Sequence, residues 1–493
     1  MKRTRPYLAA ASLLLSGCTL GPNFVPPEAH NVPSFTGAGD APMPADQQLA
    51  LGRAADAAWW KQFQSPALNA LIADAAVGNR DVTAAKARLA QAQEQIIATK
   101  AVLLPQISLG AAIGEQDYSL GLQNLQTPLT TVLPPFTYYA VQPTASFPVD
   151  IFGGNKRAVE RAKALADYET YELKAAYLTL YGNIAADAFR NAGARAQIAN
   201  LQDVIAGDQR NVTLVQTEID AGSGTRTQLL SVQSQLSEDR TLIPDFEQEE
   251  ALSRHALAVL TGQVVGNWTM PALSLDEFTL PKEIPAGLPS ELVHQRPDIL
   301  AAEAELHMAS AAIGIATANL YPQVTLSASL TRDALSPDAL FTSAPNLWTI
   351  AAGLTAPLFD RGKLSAQRRI AIQTYQAALA DYEKTVLAAF GQVADDLQAL
   401  ATDAERVMAE KDAEQTSADA LDLARQSFAA GNSGILDVID AERRYAEAKL
   451  GASRAREARL QHTVQLYLAL GGVEVPDIGP EPASDAGKPC CSY

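Results

Sequence analysis

Along most of this 493-residue chain the apolar positions follow no period of two, but four stretches do. Val324, Leu326, Ala328 and Leu330 alternate with Thr325, Ser327, Ser329 and Thr331, which predicts a strand with one apolar and one polar face. Trp348, Ile350, Ala352, Leu354 and Ala356 alternate with Thr349, Ala351, Gly353 and Thr355 in the same way. Earlier in the chain, Ile107, Leu109, Ala111 and Ile113 mark a third strand. Residues 137–149 mark a fourth, with Val141, Ala145, Phe147 and Val149 on one face. Pro143 inside the fourth is a weakness for a central strand, because proline cannot donate to a ladder.

Each pair of strands is framed by helical sequence. An Ala-rich segment of about 25 residues precedes it and is stopped by Pro105 or Pro322. After it come long stretches without proline, 156–220 and 361–470. Sixty-five helical residues rise roughly 100 Å, too long for the core of a compact domain and suited to coiled-coil packing. Gly222-Ser223-Gly224 and Gly431-Asn432-Ser433-Gly434 interrupt these stretches. Glycine and asparagine tolerate the left-handed backbone that reverses a chain, so each half is expected to form two antiparallel helices meeting at 220–225 or 431–434.

The two halves are copies. Residues 81–111 align without a gap on 298–328, at an offset of 217. Asp81/Asp298, Leu89/Leu306, Ile96/Ile313, Pro105/Pro322, Gln106/Gln323 and Leu109/Leu326 coincide, along with six alanine pairs. Pro148/Pro357, Gly222/Gly431 and Gly262/Gly471 recur at an offset of 209. This is the signature of an internal structural repeat, one copy at 60–262 and the other at 290–472. The Pro-rich stretch 263–289 joins them.

Charge sharpens the reading of the strands. No Asp, Glu, Lys or Arg occurs in 118–149, 306–331 or 339–359. A membrane helix would also be uncharged, but Pro128, Pro134, Pro135, Pro143 and Pro322 oppose one. Alternating uncharged strands suit a membrane β-barrel, one face toward lipid and the other toward a lumen. Four strands cannot close a barrel, so their edges demand an oligomer; three copies would supply twelve strands.

Composition removes other classes. With 47% hydrophobic and 19% charged residues the chain is neither disordered nor a run of membrane helices. A formal charge of −17 and no basic run argue against nucleic-acid partners. The three cysteines, Cys18, Cys490 and Cys491, cannot make a disulfide framework or a four-ligand zinc site. The histidines are scattered, and no nucleotide-binding loop or catalytic constellation appears, so neither an enzyme nor a cofactor is expected.

The N-terminus has its own grammar. Lys2, Arg3 and Arg5 precede an apolar run, Leu8–Leu15, and then Ser16, Gly17 and Cys18. This is a signal-peptide pattern, too short to span a bilayer. Leu15-Ser16-Gly17-Cys18 resembles a bacterial lipobox, which implies cleavage of 1–17 and a covalent lipid on Cys18; an ordinary secretory signal with a chance cysteine is the plainer alternative. Thr19, in place of an aspartate, favours the outer membrane.

Taken together, the lipobox, the duplicated strand and helix halves, GSGTRTQLL at 222–230 and GNSGILDVIDAER at 431–443 resemble the TolC-type outer-membrane efflux proteins. The subgroup most similar is that of NodT-like lipoproteins serving resistance–nodulation–division systems, whose mature start Cys18-Thr19-Leu20-Gly21-Pro22-Asn23-Phe24 resembles. The resemblance implies a mainly α fold of long helical hairpins in an α-barrel, with four strands per chain in a homotrimeric twelve-stranded β-barrel. It implies an outer-membrane exit duct, with a periplasmic adaptor and an inner-membrane pump as partners. An equatorial belt is expected from 18–59, 263–289, part of 395–415 and the C-terminal flank. Residues 473–493 are expected to form a disordered tail.

The resemblance also marks site residues. Asp437 and Asp440 match aspartates that line the periplasmic aperture, where three chains would gather six carboxylates and favour cations. Two solvated acids at a helix start are the alternative. Gly222, Ser223, Gly224 and Thr225, with Gly431, Asn432, Ser433 and Gly434, are the expected adaptor contacts, or simple helix reversals. Phe428 and Ser433 stand where the best-known family member has a Tyr and an Arg that latch the tip. A protein-secretion duct of the same fold and a pore-less coiled-coil scaffold are the competing functions.

Overall fold

The computed structural model describes residues 19–28, 34–37, 39–53, 56–116, 135–287, 289–342 and 344–476. The expected signal peptide at 1–17, Cys18, Cys490 and Cys491 lie outside these residues, as does most of the expected tail. The described chain divides into two compact units. The first takes Leu89–Glu169 and Ala302–Tyr382 with the segment ending at Pro26; the second takes Pro27–Arg88, Thr170–Ala301 and everything from Glu383 onward.

In chain order the elements are β1 (Gln48–Leu51), α1 (Pro66–Gly78), α2 (Arg80–Ala101), β2 (Gln106–Gln116), β3 (Phe136–Val149), α3 (Gly154–Asp220), α4 (Arg226–Arg240) and α5 (Ile243–Leu260). Then follow β4 (Glu283–Ala286), α6 (Pro289–Leu292), α7 (Pro297–Ala318), β5 (Gln323–Ala334), α8 (Pro337–Thr342), β6 (Asn346–Thr355), α9 (Lys363–Ala429) and α10 (Ile435–Leu470). The four alternating stretches are β2, β3, β5 and β6. The repeat is close: α3 and α9 are each 67 residues long and start 209 apart, as do α4 and α10.

The first unit holds one antiparallel sheet, ordered β2-β3-β5-β6. Its register brings like faces together. Val324, Leu326, Ala328 and Leu330 stand opposite Leu354, Ala352, Ile350 and Trp348. Val149, Phe147 and Ala145 stand opposite Val324, Leu326 and Ala328, and Ile107 stands opposite Ala145. The result is an apolar face across these positions, bounded by Arg332 opposite Val141. The other face carries Ser108, Thr144, Ser146, Thr325, Ser327, Ser329, Thr349 and Thr355. Ile107, Leu109, Ile113, Trp348, Ile350 and Leu354 are exposed.

Pro143 does sit in a central strand. Along the β3–β5 ladder Val141 pairs with Arg332 and Thr144 with Ser329, and the two positions between them are unpaired. On the β2 side Pro143 keeps register with Leu109. A gap of two positions thus accommodates the missing N–H.

Two expectations need correction. The return arm of the first half is not one helix: α4 ends at Arg240 and α5 begins at Ile243. Pro244 is the cause, since its ring cannot follow a helical carbonyl four residues back; the equivalent position of the second half is Ser453, and α10 runs unbroken. Residues 395–415, expected to contribute irregular structure, lie wholly inside α9. The apolar uncharged stretch before β5 belongs in part to α7, which is long and apolar enough to cross a membrane but is half buried in the fold.

The core of the second unit is aromatic, which the sparse aromatic content did not announce. Trp59 is fully buried, stacks on Tyr467 with centroids 5.3 Å apart, and meets Trp60 and Phe63 edge-on. Phe63 meets Phe189, which meets Phe278. These contacts hold the 56–63 and 263–286 segments in the unit, and β1 pairs in parallel with β4. Arg459 reaches Asp46 at 2.7 Å, and Gln47 donates to Thr463 at 3.1 Å.

Trp59→Ala should cost about 3–5 kcal/mol, as for a large buried aromatic, while the exposed Phe341→Ala should shift stability by less than about 0.5 kcal/mol. Chemical denaturation of the purified protein checks both; equal midpoints for the two variants would refute the core assignment.

Candidate functional site

The two helix reversals are built alike where the first helix ends, and differ at the cap of the second, where Thr225 in one half is Gly434 in the other. At the first, α3 ends on Gly222, whose φ of +81° only glycine adopts without strain, and the amides of Ser223 and Gly224 both donate to Glu218 O at 2.9 Å. Thr225 then caps α4: its hydroxyl accepts from Gln228 N at 3.3 Å, and Gln228 Oε1 accepts from Thr225 N at 2.8 Å. At the second, Gly431 has φ +73°, and Asn432 N donates to Ser427 O at 2.9 Å. Gly222, Ser223, Thr225, Gly431, Asn432 and Gly434 are exposed; Gly224 and Ser433 are half-buried.

Just inside the turns the four helices α3, α4, α9 and α10 close on Val215, Val232, Leu421, Ile435 and Val438. Phe428 packs against this cluster together with Val212, Ile219, Leu229 and Tyr445. Phe428 is thus part of an apolar contact among the four helices. The Ser433 hydroxyl is buried with no hydrogen-bond partner among the described residues.

Asp437 and Asp440 begin α10, with Asp437 exposed and Asp440 half-buried. Each has local work. Asp437 Oδ2 accepts from Gly434 N at 3.0 Å, which caps its own helix. Asp440 meets Arg444 at 2.8 Å and Arg443 at 3.5 Å. The two acids thus differ: Asp440 carries compensating cations and Asp437 does not.

One cluster escaped the sequence reading. Asp208 on α3, almost fully buried, lies with Asp239 on α4 and Glu442 on α10. Glu442 accepts from Asn211 and from Arg425 of α9, the latter at 2.6 Å, and Gln235 donates to Asp239 at 3.0 Å. Burial, then hydrogen bonding to Asp239 and the charges of Asp239 and Glu442, push the Asp208 carboxyl up to about 8. Its partners are 31 and 234 residues away along the chain, so no local pattern could have found it.

These features match a known family. The family model described as outer membrane efflux protein matches residues 71–263 and again 288–472, once per repeat. The chain is 32% identical over 418 residues to the pyoverdine export outer membrane protein OpmQ of Pseudomonas putida, covering 85% of this chain and 88% of that one. It is 27% identical over 483 residues to nodulation protein T of Rhizobium leguminosarum, covering 97% and 95%. Among solved structures the outer-membrane channel OprN superposes with a TM-score of 0.83 at 27% identity, covering 92% of this chain and 99% of that one. The chain belongs to the outer membrane efflux protein family. It is an outer-membrane channel of an efflux pump, in a family of transport channels rather than enzymes.

Asp208 makes the helical tip pH-sensitive. A carboxyl whose folded pKa lies above its unfolded value binds the proton more tightly when folded, so stability falls as pH rises from about 4 to about 8 and levels off above. Asp208→Asn should flatten that part of the stability–pH curve and raise stability at neutral pH, as read by denaturation from pH 4 to 9. An unchanged slope would contradict the burial argument.

Proposed function

We propose that three copies of this chain form the exit duct of a tripartite efflux pump. The observation that carries this reading is the four-stranded sheet. It is apolar on one face and small and polar on the other, and its edge strands β2 and β6 have no second partner among the described residues. Backbone groups inside a bilayer need partners, so β6 of one copy pairs with β2 of the next, and twelve strands close a barrel. The apolar face then meets lipid and the Ser/Thr face lines the lumen.

The helices carry the duct into the periplasm, and each 67-residue helix supplies about 100 Å of it. The exposed turns at 222–225 and 431–434 are the surface that a periplasmic adaptor would contact, and an inner-membrane resistance–nodulation–division pump would supply the energy. Conduction through the duct itself is passive, with opening driven by partner binding. A lipid on Cys18 anchors the chain in the outer membrane. Asp437 and Asp440 line the aperture. Because Asp440 is paired with Arg443 and Arg444, Asp437 supplies most of the net charge there.

The barrel is tested by paired substitutions on one strand. Ile350→Lys points into lipid and should destabilise by about 2–4 kcal/mol at mid-bilayer, whereas Thr349→Lys faces the lumen and should be tolerated. Refolding into vesicles measures both, and equal tolerance would sink the facing assignment. For the aperture, Asp437→Asn should weaken divalent-cation blockade in planar bilayers several-fold, and Asp440→Asn should do so less. Blockade identical to wild type in Asp437→Asn would count against an acidic constriction.

A further inference from the structure

The first unit contains a side-chain cluster that none of the above uses. Arg157, one turn into α3, is almost fully buried. Its guanidinium spends its donors on the N-terminal segment: Nε donates to Leu20 O at 3.1 Å, and Nη2 to Gly21 O at 3.2 Å and Asn23 Oδ1 at 2.9 Å. Nη1 is held by Glu160 at 2.7 Å, and the other oxygen of Glu160 meets His307 Nε2 at 3.1 Å. The His307 ring in turn stacks on Phe24, 4.3 Å between centroids and 11° from parallel. Leu20 N donates to Phe152 O at 3.1 Å, and Gly21 lies so close to Gly314 that a Cβ would fall 2.4 Å from the Gly314 Cα.

The internal repeat supplies a control. Arg157 N donates to Gly153 O, and 209 residues later Ala366 N donates to Gly362 O, both at 2.9 Å. The two helix starts are therefore equivalent, yet the second has alanine where the first has arginine. By the 217-residue offset, His307 corresponds to Ala90 and Gly314 to Ile97. Gly153 packs against Thr19, whereas Gly362 has open space around it. A helix start of this kind does not need the arginine, the histidine or the glycine; the segment 19–24 does.

We propose that Arg157 is a clasp that couples the lipid on Cys18 to the base of the β-sheet. Two residues of chain reach at most about 7 Å, so fixing Leu20 at the β3–α3 junction limits how far a lipid attached two residues earlier can lie from it. Arg157 thereby sets the depth of the sheet relative to the leaflet that takes the acyl chains. Five rigidly arrayed donors suit this task, and a lysine ammonium cannot satisfy four acceptors in that geometry. This rests on the reading of Cys18 as the lipid-bearing residue.

The test has two arms on the full-length protein. Hydrogen exchange reads the clasp: in Arg157→Lys and Arg157→Ala the Leu20 amide should exchange at least tenfold faster, with tip helices 215–232 unchanged. Gly21→Ala, which leaves α3 intact, should do the same should the arginine variants misfold. Unchanged exchange in the folded variants overturns the clasp. A double-mutant cycle reads the coupling: Cys18→Ala should lower the yield of folded outer-membrane protein several-fold in the wild-type background and have no effect alongside Arg157→Lys. Equal losses in both backgrounds, or no loss in either, overturn the coupling. Labelled palmitate on the wild type is measured separately; its absence overturns the lipid reading and the coupling with it, while the exchange arm still decides the clasp.

Discussion

Backbone amides and carbonyls cannot be left unpaired in hydrocarbon, and the architecture is organised around that constraint. Among the described residues the sheet pairs β3 and β5 on both sides and leaves one ladder open on β2 and one on β6. The apolar and polar faces follow from placing such a sheet in a membrane, and its charged residues Glu115, Arg332 and Asp333 fall near the ends of β2 and β5. Even the imperfection at Pro143 is confined to two unpaired positions, so the central strand survives a residue that lacks a donor.

Duplication made the scaffold, and departures from it mark the places where the halves do different work. The paired 67-residue helices keep their lengths and their 209-residue spacing. Pro244 breaks one return arm where Ser453 leaves the other whole. Arg157, His307 and Gly314 receive the N-terminal segment where Ala366, Ala90 and Ile97 receive nothing equivalent. A repeat thus serves as its own reference: whatever a helix needs merely to form is present in both copies, and what only one copy has serves something else.

At the helical tip, apolar packing and buried charge are stacked in sequence. Phe428 joins the valine and isoleucine cluster, and beyond it Asp208 and Asp239 are held together between helices with Glu442 and Arg425. Van der Waals contact joins the four helices in one layer; in the next, burial and the neighbouring carboxylates push the Asp208 carboxyl up to about 8. Packing of this kind depends on pH.

Strand positions, the two 67-residue helices, the turns and the repeat were legible from residue order, because each is written in local periodicity or in proline and glycine placement; the break at Pro244 was not read. The Val324–Leu330 alternation and the Gly222 and Gly431 turns are examples, and the family resemblance rested on them. Register was not legible: that Ala328 faces both Ala145 and Ile350 depends on pairing between strands distant along the chain. Nor were the Trp59–Tyr467 stack, the Asp208 cluster or the Arg157 clasp, whose members lie 31 to 408 residues apart. Sequence alone determined what each segment could be, since backbone preference acts over a few residues. Only the tertiary structure decided which buried groups meet, since burial and charge act through space without regard to chain distance.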